Sequence, residues 1–180
     1  MALTAQAQAF LDAIEEQNPP GWHEMSPGEA REIFDGFVDL FGEGPELARV
    51  EDQQTPSGVK IRIYRDQSGE AQPMVMYFHG GGWVLGNIQT HDALCRRLAK
   101  ASACTVVSVD YRLAPEHVWP AQTDDCFGVL KQLLGEGRKV VLIGDSAGGN
   151  LAAGLALRAR DEGLSGIAGQ VLIYPALGGD

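Results

Sequence analysis

Val140-Val141-Leu142-Ile143-Gly144-Asp145-Ser146-Ala147-Gly148-Gly149-Asn150 is the stretch on which the fold turns. Its first four residues are an apolar run without alternation, as in a strand covered by helices on both faces of a parallel sheet. Helical patterning begins near Leu151, so Gly-x-Ser-x-Gly lies between a strand and a helix. A serine on so sharp a turn needs small residues two before and two after it, because bulky neighbours would collide around its strained backbone. Gly144 and Gly148 occupy those places. By composition alone the pattern would arise on the order of 0.1 times in a chain this rich in glycine, so its placement says more than its letters. Ser146 would project above the sheet at the start of a helix whose dipole favours developing negative charge.

A second cluster, His79-Gly80-Gly81-Gly82-Trp83, directly follows another apolar run, Met74 to Phe78. Its chance frequency by the same counting is on the order of 0.01. Consecutive glycines let backbone N–H groups turn toward a substrate carbonyl and stabilise the oxyanion as it forms. Gly81 and Gly82, with the N–H of Ala147 after the serine, are the candidate oxyanion hole. His79, Gly80 and Asp145 are expected to support the loop. His79 precedes the glycines and fits an anchoring hydrogen bond better than proton abstraction. Asp145 adjoins the serine, and adjacent side chains on a sharp turn diverge, so loop support suits it better than the role of triad acid. Trp83 either lines a pocket or packs against the core.

Outward from these motifs the pattern is strand and helix in alternation. Val59, Ile61 and Ile63 alternate with Lys60, Arg62 and Tyr64, while Thr105 to Val109 and Val171 to Tyr174 are apolar runs. Helical patterns at His91 to Ala101, Ala121 to Leu134 and Leu151 to Arg160 are long enough for crossovers. That order predicts an α/β fold with a mostly parallel central sheet and helices on both faces. The first residues read differently. Leu3, Ala7, Phe10, Leu11 and Ile14 share one helical face, and Asn18-Pro19-Pro20-Gly21 interrupts it. Ser26-Pro27-Gly28-Glu29 is a capping box. It starts a helix whose apolar stripe, Ala30, Ile33, Phe34, Phe37, Val38 and Phe41, runs to a stop at Gly42 to Pro45. The division expected is a helical cap segment over 1–45 and the N-terminal part of a catalytic domain over 46–180.

The chain has 180 residues, is 44% hydrophobic and carries a net charge of −10, which suits one globular unit. That charge argues against binding nucleic acid or anionic lipid, so a small molecule is the expected partner. Cys95, Cys104 and Cys126 have no metal-ligand spacing, and no metal is expected. Free thiols and an N-terminus without a basic n-region or an apolar span point to a cytoplasmic protein with no membrane span. His91 and His117 read as polar surface or loop anchors, Arg112 and Glu116 as a local ion pair, and Asp161 and Glu162 as solvated surface.

Together the two motifs resemble the hormone-sensitive-lipase-like esterases, the α/β-hydrolase fold-3 family. Asp110-Tyr111-Arg112-Leu113-Ala114-Pro115-Glu116 is similar to that family's link after its fourth strand, and Leu172-Ile173-Tyr174-Pro175 to its sixth. The resemblance implies an α/β-hydrolase fold with an N-terminal helical cap over the acyl pocket. It implies hydrolysis of short to medium acyl esters through an acyl-enzyme, with Ser146 as nucleophile, no cofactor and a small-molecule ester as substrate. The family's triad runs in the order Ser, Asp or Glu, His. His23, His79, His91 and His117 all precede Ser146. The expectation is therefore a truncated member lacking its last strands, incomplete as a catalyst, with Val171 to Tyr174 as an apolar edge open to pairing with a second copy. Asp180 could serve as an acid only with a histidine after it. The alternative is a non-catalytic protein of this fold that holds a small ligand in its pocket, as the related gibberellin receptor does.

Overall fold

Alternation along the strand β3 (Met74–Phe78) organises the core. Met74, Met76 and Phe78 join one apolar cluster, while Val75 and Tyr77 join a second on the opposite side. All five residues are buried, so the strand is covered on both faces. The computed structural model describes residues 3–17, 20–66 and 73–178. Before β3 it contains α1 (Ala5–Gln17), a turn of 3-10 helix (Trp22–Glu24), α2 (Pro27–Gly36), α3 (Val38–Phe41), β1 (Arg49–Gln54) and β2 (Lys60–Arg65). After it come α4 (Asp92–Ser102), β4 (Thr105–Asp110), α5 (Ala121–Gly135), β5 (Val140–Asp145), α6 (Ala147–Asp161) and β6 (Ile167–Ile173).

The strands form one six-stranded sheet in the order β1-β2-β4-β3-β5-β6. β1 and β2 are antiparallel to their neighbours, and β4, β3, β5 and β6 are parallel. From β3 the chain moves by α4 to β4, then crosses back by α5 to β5. The direction of winding thus reverses between β3 and β5. In open α/β sheets the crevice at the carboxyl ends of such strands is where ligands bind. Met74 pairs with Val140 and Phe78 with Gly144, so the loops after the two strands leave the sheet side by side.

Helix placement follows from apolar spacing. Phe127, Leu130, Leu151 and Leu155 of α5 and α6 pack on the first cluster, and Cys95 and Ala99 of α4 on the second. Asp92, at the start of α4, accepts hydrogen bonds from Arg62, Tyr64 and Arg96. Burial pushes its carboxyl pKa up, but these donors outweigh that and hold it below the ordinary value. At Ser26 the capping box forms, with Glu29 N–H donating to Ser26 Oγ and Ser26 N–H to Glu29 Oε2.

Several expectations need correction. The stripe from Ala30 is not one helix, because the chain turns at Phe37, whose N–H donates to Phe34, and restarts as α3. Phe41 has its side chain outside the described structure, as do residues 1, 2, 18, 19 and 180 entirely. β1, with the polar sequence Arg49–Gln54, offers no apolar alternation and was not foreseen. Tyr64, which alternates with the apolar residues of β2, is nonetheless fully buried because its hydroxyl finds Asp92. α6 starts four residues before Leu151, and β6 starts at Ile167 and ends before Tyr174, whose φ is 34°. β6 is an edge of the sheet among the described residues. No helix of the described residues is long and apolar enough to cross a membrane.

Leu142 lies at the centre of β5 with no exposed surface. Leu142→Ala is expected to lower the unfolding free energy by about 2–5 kcal/mol, the range for emptying a buried leucine site, measured from urea titrations.

Candidate active site

β5 delivers Ser146 onto a turn that no ordinary residue adopts without strain. Its φ and ψ are 50° and −115°. The conformation is held from three sides. Ser146 N–H donates to the Ile173 carbonyl at 2.9 Å, and its own carbonyl accepts from Ala176 N–H and Asn150 N–H. Asn150 Nδ2 also donates to the Ala176 carbonyl at 2.8 Å, tying the first turn of α6 to the segment after β6. Gly148 passes so near β3 that a Cβ there would fall inside the contact radius of the Phe78 and His79 backbone. Only glycine allows this crossing.

The glycine loop leaves β3 beside this elbow. Gly81 has a φ of 118°, outside what L side chains adopt, and its carbonyl accepts from Val84 N–H and Leu85 N–H to close a tight turn. Among the described residues the N–H groups of Gly81, Gly82 and Ala147 donate to no acceptor. Asp145 links the loop to the elbow. Its Oδ1 accepts from Tyr77 OH at 2.6 Å and from Gly80 N–H at 3.0 Å. His91 Nε2 lies 3.8 Å from the same oxygen. Burial raises the Asp145 pKa, and His91, Tyr77 and Gly80 together outweigh it and bring it below the usual carboxylate value.

His79 has no exposed surface, and its ring stacks on Tyr111 with centroids 4.2 Å apart. Its Nδ1 is 2.8 Å from the Gly80 carbonyl, which can only accept, so Nδ1 carries the proton. Tyr111 OH donates to the His79 carbonyl at 2.6 Å. Burial, with repulsion from His91, lowers the His79 pKa to about 4, and the ring is neutral. His79 is thus held beneath the loop by both its backbone and its ring.

Two cavities flank these loops. One of about 450 Å³ is walled by Phe34, Phe37 and Leu94, with Gly81, Asp145 and His91 also lining it. The other, about 400 Å³, meets Gly82, Trp83, Trp119 and Asn150. A larger cavity of about 820 Å³ is lined by Arg31, Asp110, Arg112, Glu116 and other polar groups, and no residue of the serine elbow lines it. Trp83 both packs on the core and lines the second cavity.

Ser146, Gly81, Gly82, Ala147, His79, Gly80 and Asp145 therefore come together at the ends of β3 and β5. His91 differs from the expectation of polar surface: it lies half-buried against the first cavity, because α4 begins there. His117 stays with the polar cavity, and His23 lies in the 3-10 turn. The Arg112–Glu116 pair is replaced by Arg112–Asp125 at 2.8 Å and Arg31–Glu116 at 2.7 Å. Segment 111–119 is not helical, so a spacing of four does not bring side chains together there. Asp161 and Glu162 pair with Arg160 and Arg158 at the surface. Tyr77, Tyr111 and Arg31 were missed; each has its partners far away in sequence.

A family model described as alpha/beta hydrolase fold matches residues 75–180. Esterase LipI of Mycobacterium tuberculosis is 48% identical over 147 residues, which take in 77% of this chain and 43% of that protein. Carboxylesterase NlhH of the same organism is 45% identical, covering 73% of this chain and 44% of its own length. The chain thus spans less than half of these curated relatives. The hyperthermophilic esterase from the archaeon Pyrobaculum calidifontis superposes with a TM-score of 0.91 at 42% identity, covering 98% of this chain and 60% of the other.

Gly148→Ala is expected to destabilise by at least the roughly 1–3 kcal/mol of core overpacking, since backbone rather than side chain stands in the way. Gly154→Ala, on the same helix with open space around it, is the control and should stabilise by about 0.5–1 kcal/mol. Melting temperatures of the two variants check this. The neutral His79 gives a pH prediction. The unfolded chain takes up a proton near pH 6.5 that the folded chain refuses until about 4, so this contribution is complete above the former and lost as pH falls toward the latter. In His79→Asn the fall in urea midpoint between pH 6.5 and 4 should be shallower than in the parent.

Proposed function

Because the chain belongs to the α/β-hydrolase fold-3 family, the hormone-sensitive-lipase-like esterases, we propose that it supplies the nucleophile and oxyanion hole for hydrolysis of a carboxylic ester. Ser146 Oγ attacks the acyl carbon, and the carbonyl oxygen becomes an oxyanion facing the N–H groups of Gly81, Gly82 and Ala147. Collapse expels the alcohol and leaves an acyl-serine, which water then hydrolyses. Each of those donors is worth about 2.7–4 kcal/mol of barrier when aimed at an oxyanion. The observation that carries this reading is the strained elbow of Ser146 beside three N–H groups with no acceptor among the described residues.

The apolar cavity behind Gly81 suits a short to medium acyl chain, with Phe34, Phe37 and Leu94 as its walls and residues 1–45 acting as a cap. The Trp83 cavity on the other side is left for the alcohol portion. No cofactor takes part in this chemistry. Among the described residues no side chain is hydrogen-bonded to the Ser146 hydroxyl, and no proton acceptor is assigned to it. Loss of the base alone costs on the order of 10⁶ in kcat in a well-studied serine protease, so an unassisted Ser146 is slow on this reading. The same observation favours a second reading, in which the pocket retains a ligand without turnover.

Added imidazole separates the two. With a p-nitrophenyl acyl ester and imidazole as an external base, the 180-residue chain is expected to release p-nitrophenol faster than Ser146→Ala under the same conditions. Equal rates in the two proteins would remove the nucleophile reading and leave ligand binding.

A further inference from the structure

Four hydrogen bonds radiate from one cap residue, and two of them do not end on a charged group. Arg31, on α2, donates from Nε to the Val84 carbonyl at 2.8 Å and from Nη2 to the Ala114 carbonyl at 2.8 Å. Its Nη1 and Nη2 also meet the two oxygens of Glu116 at 2.8 and 2.7 Å. The guanidinium is about one quarter exposed, and Glu116 is more than half exposed. Val84 belongs to the turn closed on the Gly81 carbonyl, and Ala114 N–H donates to the Trp83 carbonyl at 2.9 Å. Arg31 therefore holds the turn that carries Gly81 and Gly82 at Val84 and, at Ala114, the neighbouring segment bonded to Trp83, whose φ is 61°.

We propose that Arg31 is a positioning residue that fixes the glycine turn from the cap, acting through the Val84 and Ala114 carbonyls rather than through its ion pair with Glu116. The inference rests on the oxyanion-hole reading of Gly81 and Gly82. A surface ion pair is worth little in water, and with more than half of Glu116 exposed, solvent screens even this two-point contact. Carbonyl bonds from a charged donor are stronger and directional, and only the planar fork of arginine reaches the two carbonyls and the carboxylate together. Lysine could keep the charge beside Glu116 but has no geometry for both carbonyls.

Three variants distinguish the two possible roles. Amide hydrogen exchange at Val84 and Leu85, whose N–H groups close the turn, is read first because it needs no turnover. Arg31→Lys and Arg31→Ala should both speed that exchange by about tenfold, the factor for losing one to two modest hydrogen bonds, while Glu116→Gln leaves it within about twofold. The imidazole-assisted, Ser146-dependent rate should fall in the same two Arg31 variants with KM little changed. Rescue by lysine, or exchange in Glu116→Gln as fast as in Arg31→Ala, would overturn the proposal in favour of an ion pair that merely anchors the cap. If Ser146→Ala matches the parent in ester release while exchange follows the expected order, the catalytic reading fails and the positioning of the turn by Arg31 still stands.

Discussion

The passage of Gly148 across the end of β3 is the constraint on which the rest depends. β3 and β5 are parallel neighbours, with Phe78 opposite Gly144, and the helix that follows β5 must turn back over the carbonyls of Phe78 and His79. A side chain on Gly148 would push α6 away from the sheet, and the first turn of that helix could no longer sit against the glycine loop. Ser146 would then lose the hydrogen bonds to Ile173, Ala176 and Asn150 that hold its positive φ. Strain of this kind persists only where its surroundings over-determine it.

Beneath the two loops Asp145 and His79 Nδ1 are paired, while His79 Nε2 is buried without a hydrogen-bond partner among the described residues. Asp145 receives Tyr77, Gly80 and the neighbouring His91, and His79 is held by Gly80 and Tyr111. On the proposed reading such pairing matters doubly, since an oxyanion would form beside it. A bare carboxylate next to Ser146 would oppose a developing negative charge, but here Oδ1 of Asp145 accepts from Tyr77 OH and Gly80 N–H, with His91 Nε2 3.8 Å away. A neutral His79 likewise supports the loop without introducing a charge whose burial would be expensive.

The N-terminal helices contribute differently from the sheet. α2 presents Phe34 to the apolar cavity and Arg31 to the loops, so one short helix both walls the pocket and reaches the turn that forms its floor. α2 has one buried residue, Ala30. Its attachment to the loops runs through the polar contacts of Arg31 as well as through Ala30.

The sequence by itself determined the class of fold, the two loops and the identity of the serine. Those features are local: continuous apolar runs report strands covered on both faces, and a serine flanked by Gly144 and Gly148 between strand and helix reports a tight elbow. Ser26 and Glu29 likewise announced their own cap. What only the tertiary structure decided is every contact made across the sheet or between α2 and the loops. Polar β1 carries no periodic signal of its own and exists as a strand because β2 pairs with it. Tyr64 and Tyr77 are buried because Asp92 and Asp145 arrive from elsewhere in the chain to meet their hydroxyls. The partners of Arg112 and Glu116 follow from the same cause, since outside a helix neither spacing nor charge says which residue a side chain will face, and only the packing of α2 and α5 against that loop does.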